Sequence, residues 1–167
     1  MILLDTHIWI WWLHGDRKLT PFLRSILTRE EKSGLKISMM SCWEVAKLAE
    51  YGRLSLDLPI KEWFQRALVC PEVEILPLTP EVIIESTKLP GKFHRDPIDQ
   101  IIVATARIHG LSLLTIDEKI LMYSHVETIK NKSNIVAEPP APFSTGSGKK
   151  TNAKKSASPR KKQKPSG

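Results

Sequence analysis

Residues 1–12, MILLDTHIWIWW, set four apolar residues ahead of an aspartate, with Trp9, Trp11 and Trp12 close behind. ILLD at 2–5 reads as a short buried strand that passes directly into a helix over His7–Leu13. A carboxylate at the inner end of such a strand needs a reason. It is costly in apolar surroundings unless it is paired, hydrogen-bonded or bound to a metal. The rest of the chain has to supply the partners of Asp5.

Working outward, TPFLRSILTREEK (20–32) carries a helix start, with Thr20 as N-cap and Pro21 at the first helical position. LKISMM (35–40) is a second strand. It leads into SCWEVAKLAEYGRL (41–54), where Ser41 and Glu44 have the spacing of a capping box. Pro59 opens a helix over 60–69, VEILPL (73–78) is a third strand, and Thr79-Pro80-Glu81 starts the next helix. Asp96-Pro97 begins a longer helix that stops at Gly110. LSLLTI (111–116) is a fourth strand, a short helix follows Asp117, and VETIK (126–130) can add an edge strand. Strands alternating with helices indicate an α/β fold with a central parallel sheet covered on both faces.

The chain has 167 residues and a formal net charge of +7. That basicity is local. Residues 1–138 hold 17 Lys+Arg against 18 Asp+Glu, whereas residues 139–167 hold 8 Lys+Arg and no acid. A single globular domain is expected over 1–133, followed by a disordered Pro/Ser/Lys-rich basic tail over 134–167 that cannot bury enough apolar surface to fold. Lys149, Lys150, Lys154, Lys155, Arg160, Lys161, Lys162 and Lys164 are its cations. They suit either salt-sensitive contacts to RNA phosphates or a solvated extension. Cys42 and Cys70 lack a pairing motif and read as buried thiols in a reducing compartment. No apolar run approaches the roughly 18–20 residues that span a bilayer, so no membrane association and a cytoplasmic location are expected.

In an open parallel sheet, ligands bind beyond the carboxyl ends of the strands. Asp5 and Asp117 each follow an expected strand. Asp96 and Asp99 share one face of a helix start, and Glu44 is expected in the first turn after a strand. These five acids converge on one rim. Carboxylates so placed repel one another and raise each other's pKa. A divalent cation relieves the conflict, and Mg²⁺ or Mn²⁺ is suited to oxygen ligands. Each acid also has a structural role open to it: Glu44 in the capping box, Asp96 and Asp117 as N-caps, and Asp99 and Glu118 favoured by the helix dipole. The five histidines show no paired metal-ligand spacing, and no phosphate-loop or dinucleotide glycine motif occurs. The tryptophans suit a core or an interface better than base stacking. Crowding near the start implies that some of Trp9, Trp11 and Trp12 are exposed on a partner surface.

Four segments, ILLDTHIWIWW, ISMMSCWEVAKLAEYGRL, FHRDPIDQIIVATARIHG and LSLLTIDEKI, together resemble PIN-domain ribonucleases, especially the VapC toxins of toxin–antitoxin pairs. The resemblance implies a three-layer α/β/α sandwich and Mg²⁺- or Mn²⁺-dependent cleavage of RNA. It puts the acidic quartet on Asp5, Glu44, Asp99 and Asp117, with Asp5, Asp99 and Asp117 around the metal. Glu44 would then support a second ion or orient water. Asp96, Thr6 and Thr115 are supporting residues, the Thr115 hydroxyl being placed to bond a ligand carboxylate. The resemblance further implies a homodimer and a cognate antitoxin whose segment lies in an apolar groove. The basic tail departs from the family pattern. A non-catalytic RNA-binding or regulatory module on the same scaffold is the alternative. A phosphotransferase of haloacid-dehalogenase type would need an aspartate where His7 stands.

Overall fold

The computed structural model describes residues 1–130; the 133/134 boundary and the cations of the tail lie outside the described residues. Strands β1 (Ile2–Leu4), β2 (Leu35–Ser38), β3 (Val73–Leu76) and β4 (Ser112–Leu114) form one sheet in the order β3-β2-β1-β4. Every pairing is parallel, with Leu3 opposite Lys36 on one side and Leu113 on the other. Each strand is shorter than its apolar run. β3 stops before Pro77, which has no N–H for a ladder. VETIK contributes a single bridge, Thr128 beside Leu113, rather than a strand.

The helices are α1 (Thr6–His14), α2 (Pro21–Glu31), α3 (Met39–Glu50), α4 (Ile60–Leu68), α5 (Pro80–Ser86), α6 (Pro97–Ile108) and α7 (Glu118–Leu121). Thr20, Thr79, Asp96 and Asp117 cap their helices with side-chain oxygens, as their sequence contexts require. The expected capping box is absent. Ser38, not Ser41, caps α3 by accepting from the Met40 N–H, so β2 ends where α3 begins. Glu44 therefore stands at the sixth position of α3 rather than in its first turn.

The period of two along the strands divides the core into two layers. Ile2, Leu4, Leu35, Ile37 and Leu114 pack on one face with residues of α1–α4. Leu3, Leu76 and Leu113 pack on the other with α6 and α7, while α5 lies against α6. The result is the expected three-layer sandwich. Trp9 is fully buried and meets Trp63 edge-to-face, ring centroids 5.4 Å apart. Trp11 and Trp12 are half-buried against the same cluster, so crowding near the start is resolved by packing; Trp43 on α3 is the exposed tryptophan. Cys42 and Cys70 are free and only half-buried. Among the described residues no helix is long and apolar enough to cross a membrane.

Trp9→Ala removes a fully buried tryptophan of the first core layer and leaves a cavity against Trp63. A loss of about 3–5 kcal/mol is expected, read from urea unfolding of the purified variant.

Candidate active site

Chain order and spatial order part company at β1. β2 and β3 step away on one side, and the chain then returns to lay β4 on the other. Such a reversal opens a crevice at the carboxyl ends of the two strands that flank it. Asp5 follows β1 and Asp117 follows β4. The Asp5 N–H donates to the Leu114 carbonyl at 3.0 Å, which clamps the two strand exits together.

Asp5 occupies the N-cap position of α1, yet its carboxylate caps nothing. The buried Thr115 hydroxyl donates to Asp5 Oδ2 at 2.5 Å and accepts from the Asp117 N–H at 2.9 Å. One hydroxyl thus joins the first acid of the chain to the turn bearing the last. Asp117 takes the Lys119 and Ile120 N–H groups on Oδ1 alone, at 2.7 and 3.3 Å. The cap therefore occupies only one of its two oxygens.

The other acids come from helices on either face. Asp96 caps α6 through a 3.0 Å bond from the Ile98 N–H. Asp99 follows in the first turn, half-buried, with its Oδ2 3.4 Å from His94 Nε2. His94 Nδ1 accepts from the Asp96 N–H, so the ring proton is assigned to Nε2, on the side facing Asp99. The contact is too poorly aligned to count as a hydrogen bond. Burial, helped by nearby Lys119 and opposed by Asp117 and Asp96, lowers the His94 pKa from its ordinary value. Glu44 reaches the group from α3. It lies near the Thr6 hydroxyl, which is buried and without a hydrogen bond of normal geometry.

The electrostatics tie the acids into one group. Burial, then the charges of Asp96, Asp5, Asp117 and Glu44, push the Asp99 carboxyl up to about 7. Burial raises Asp5 as well, offset in part by the Thr115 hydroxyl and His7, with Asp117 adding to the rise. Glu44 is raised by burial and by Asp5 and Asp96, against the opposing pull of Thr6 and His7. A cluster of oxygen donors that resists ionising together has the chemistry of a hard-cation site. The unpartnered Thr6 hydroxyl offers a further oxygen. No three His, Cys, Asp or Glu side chains among the described residues close into a ready-made cage. Mg²⁺ needs no such cage, since it retains several waters and commonly takes one or two carboxylates.

The class is that of an open, parallel α/β fold with acids collected at its switch point. The particular family follows from comparison: the PIN domain family model matches residues 2–125, and the chain belongs to that family. It is 32% identical over 124 residues to Ribonuclease VapC22 of Mycobacterium tuberculosis, covering 74% of this chain and 92% of that protein. Among solved structures, DNA-bound VapBC of Salmonella typhimurium superposes with a TM-score of 0.58 at 18% identity, over 77% of this chain and 98% of that one. FitAcB of Neisseria gonorrhoeae gives 0.55 at 23%, over 78% and 97%. At these identities the structures establish the fold alone.

His94 is the site residue that sequence reasoning passed over. Its signal was the FHRDPID run, which puts a histidine five residues before Asp99 and within reach of it around the α6 N-terminus.

Two outcomes follow. Thr115→Val leaves an Asp5 oxygen and the Asp117 N–H without their shared partner, and should lower stability by about 1–3 kcal/mol while Thr115→Ser recovers most of it. In chelator, folded Asp99 keeps its proton to about pH 7, whereas an unfolded aspartate ionises near pH 3.9. The folded state then binds the extra proton, so stability falls as pH rises through this window, with Asp5 and Glu44 acting in the same direction. Urea midpoints measured from pH 4 to 8 should show a shallower decline in Asp99→Asn.

Proposed function

We propose that this chain is a metal-dependent endoribonuclease, the toxin of a toxin–antitoxin pair, working in the cytoplasm on single-stranded or loop RNA. The observation that carries this reading is the gathering of Asp5, Glu44, Asp99 and Asp117, from four separate segments, into one electrostatically coupled group at the β1/β4 switch point. Kinship with a protein named as a ribonuclease supports the substrate class.

In this reading Asp5, Asp99 and Asp117 hold Mg²⁺ or Mn²⁺. The ion, when bound, supplies a water of lowered pKa and polarises the phosphodiester, so no side-chain nucleophile is required. The chain's own residues do the positioning. The Thr115 hydroxyl fixes the rotamer of Asp5. Asp96 holds the first turn of α6, and with it Asp99. Glu44, free of any cap, orients a water toward the phosphorus or supports a second ion, and Thr6 stands beside it. The water oxygen would bond to phosphorus as the bond to the leaving ribose oxygen breaks, the water giving up one proton and the leaving oxygen taking one up.

An antitoxin segment seated in an apolar groove would block the acids, and a homodimer would present two such sites. Several fold neighbours were solved as toxin–antitoxin assemblies, in keeping with that arrangement. The cations from Lys149 to Lys164 would add salt-sensitive contacts to RNA phosphates.

Asp5→Asn and Asp99→Asn proteins that retain native circular dichroism should lose RNA cleavage. EDTA should stop the wild-type enzyme and added Mg²⁺ or Mn²⁺ restore it. Cleavage persisting in the folded variants and in EDTA would remove the metal-nuclease reading.

A further inference from the structure

Next to the acids lies a cleft of about 380 Å³ that none of them lines. One wall is the loop leading into α6, with Lys92, Phe93 and His94. The other is α7 and the turn after it, with Lys119, Met122 and His125. His94 belongs to both places: it lines the cleft, and its Nε2 stands 3.4 Å from Asp99. Whatever fills the cleft is adjacent to whatever the acids act on.

The lining is a run of rings. Phe93 lies 4.2 Å from His94 and 4.7 Å from Tyr123, centroid to centroid, and Tyr123 lies 5.3 Å from His125. Tyr123 is buried and forms the floor, while Met122 at the mouth is 77% exposed. Lys92 and Lys119 are exposed, and neither forms an ion pair among the described residues. The two walls are tied together. The Tyr123 hydroxyl donates to the Pro90 carbonyl at 2.6 Å, and Gly91, at φ +67°, lies so close that a Cβ there would come within 3.0 Å of His125 Nε2. The cleft is thus built into the fold.

We propose that this cleft is a nucleotide subsite, holding the residue of a single-stranded RNA that flanks the scissile phosphate. The inference rests on the ribonuclease reading and names its substrate contact. The base lies against Phe93 and Met122, and its phosphate meets Lys92 and Lys119. Aromatic faces accept any unstacked base, whereas a base paired within a duplex cannot enter. The two lysines also offer a polyanion attraction on one flank of a rim that otherwise presents carboxylates.

The test uses the full chain and a short single-stranded RNA carrying 4-thiouridine, photo-crosslinked in EDTA and mapped by peptide mass spectrometry. Crosslinks to residues 92–93 or 122–125 are expected. In cleavage assays, Lys92→Gln/Lys119→Gln should raise KM about tenfold with kcat little changed, and should flatten the salt dependence by about one phosphate contact. Wild type should favour a base over an abasic residue at one position beside the cut by about tenfold, a preference that Phe93→Leu and the exposed-site variant Met122→Ser reduce. Wild-type KM in the lysine variant, with crosslinks only elsewhere, overturns the subsite and leaves the nuclease reading standing. A wild-type protein that neither cuts nor crosslinks RNA overturns the nuclease reading, and the subsite with it.

Discussion

The 2.5 Å bond from the Thr115 hydroxyl to Asp5 Oδ2 is the contact on which the site depends. Asp5 is only 4% exposed, at the end of a strand whose other residues are all core. Without a donor, its carboxylate would be a large electrostatic penalty in the middle of the molecule. The same hydroxyl receives the Asp117 N–H, so orientation of the first acid and placement of the last are a single event. Both residues reach this point because β4 lies beside β1 and not beside β3. Sheet order, hydroxyl and acid pair are mechanically one unit.

Around that unit the protein tolerates electrostatic conflict. Asp99 is held up to about 7 by burial and by four other acids. A structure optimised only for stability would replace some of them by neutral residues, since an acid kept protonated contributes nothing that an amide could not. Groups perturbed in this way collect at functional sites, and the metal-nuclease proposal gives their placement at one switch point a reason. The cleft beside His94 has the opposite character, with lysines and aromatic rings on one flank and the acids on the other.

Local signals in the sequence were reliable where the physics is local. Thr20-Pro21, Thr79-Pro80 and Asp96-Pro97 each announce a helix start because an oxygen at the N-cap and a fixed φ at N1 act within a few residues. The capping box at Ser41 and Glu44 failed for an instructive reason. Two serines three positions apart were available, and Ser38 sits where β2 delivers the chain into α3, so strand length and not spacing chose the cap. Trp11 and Trp12 are half-buried because they pack against the first core layer, and the Trp12 indole N–H donates to Glu31 of α2, a contact no local window reveals.

By itself the sequence determined the alternation of strands and helices, the two-faced apolar strands and the identity of the acids, because periodicity and capping are properties of short segments. It also determined that the net positive charge belongs to residues 139–167 and not to the domain. Tertiary structure decided that β4 returns to the far side of β1, and it brought the Thr115 hydroxyl onto Asp5 and His94 beside Asp99. Those outcomes join residues up to 110 positions apart, and only the packing of helices on both faces of the sheet selects among the pairings that the apolar pattern permits.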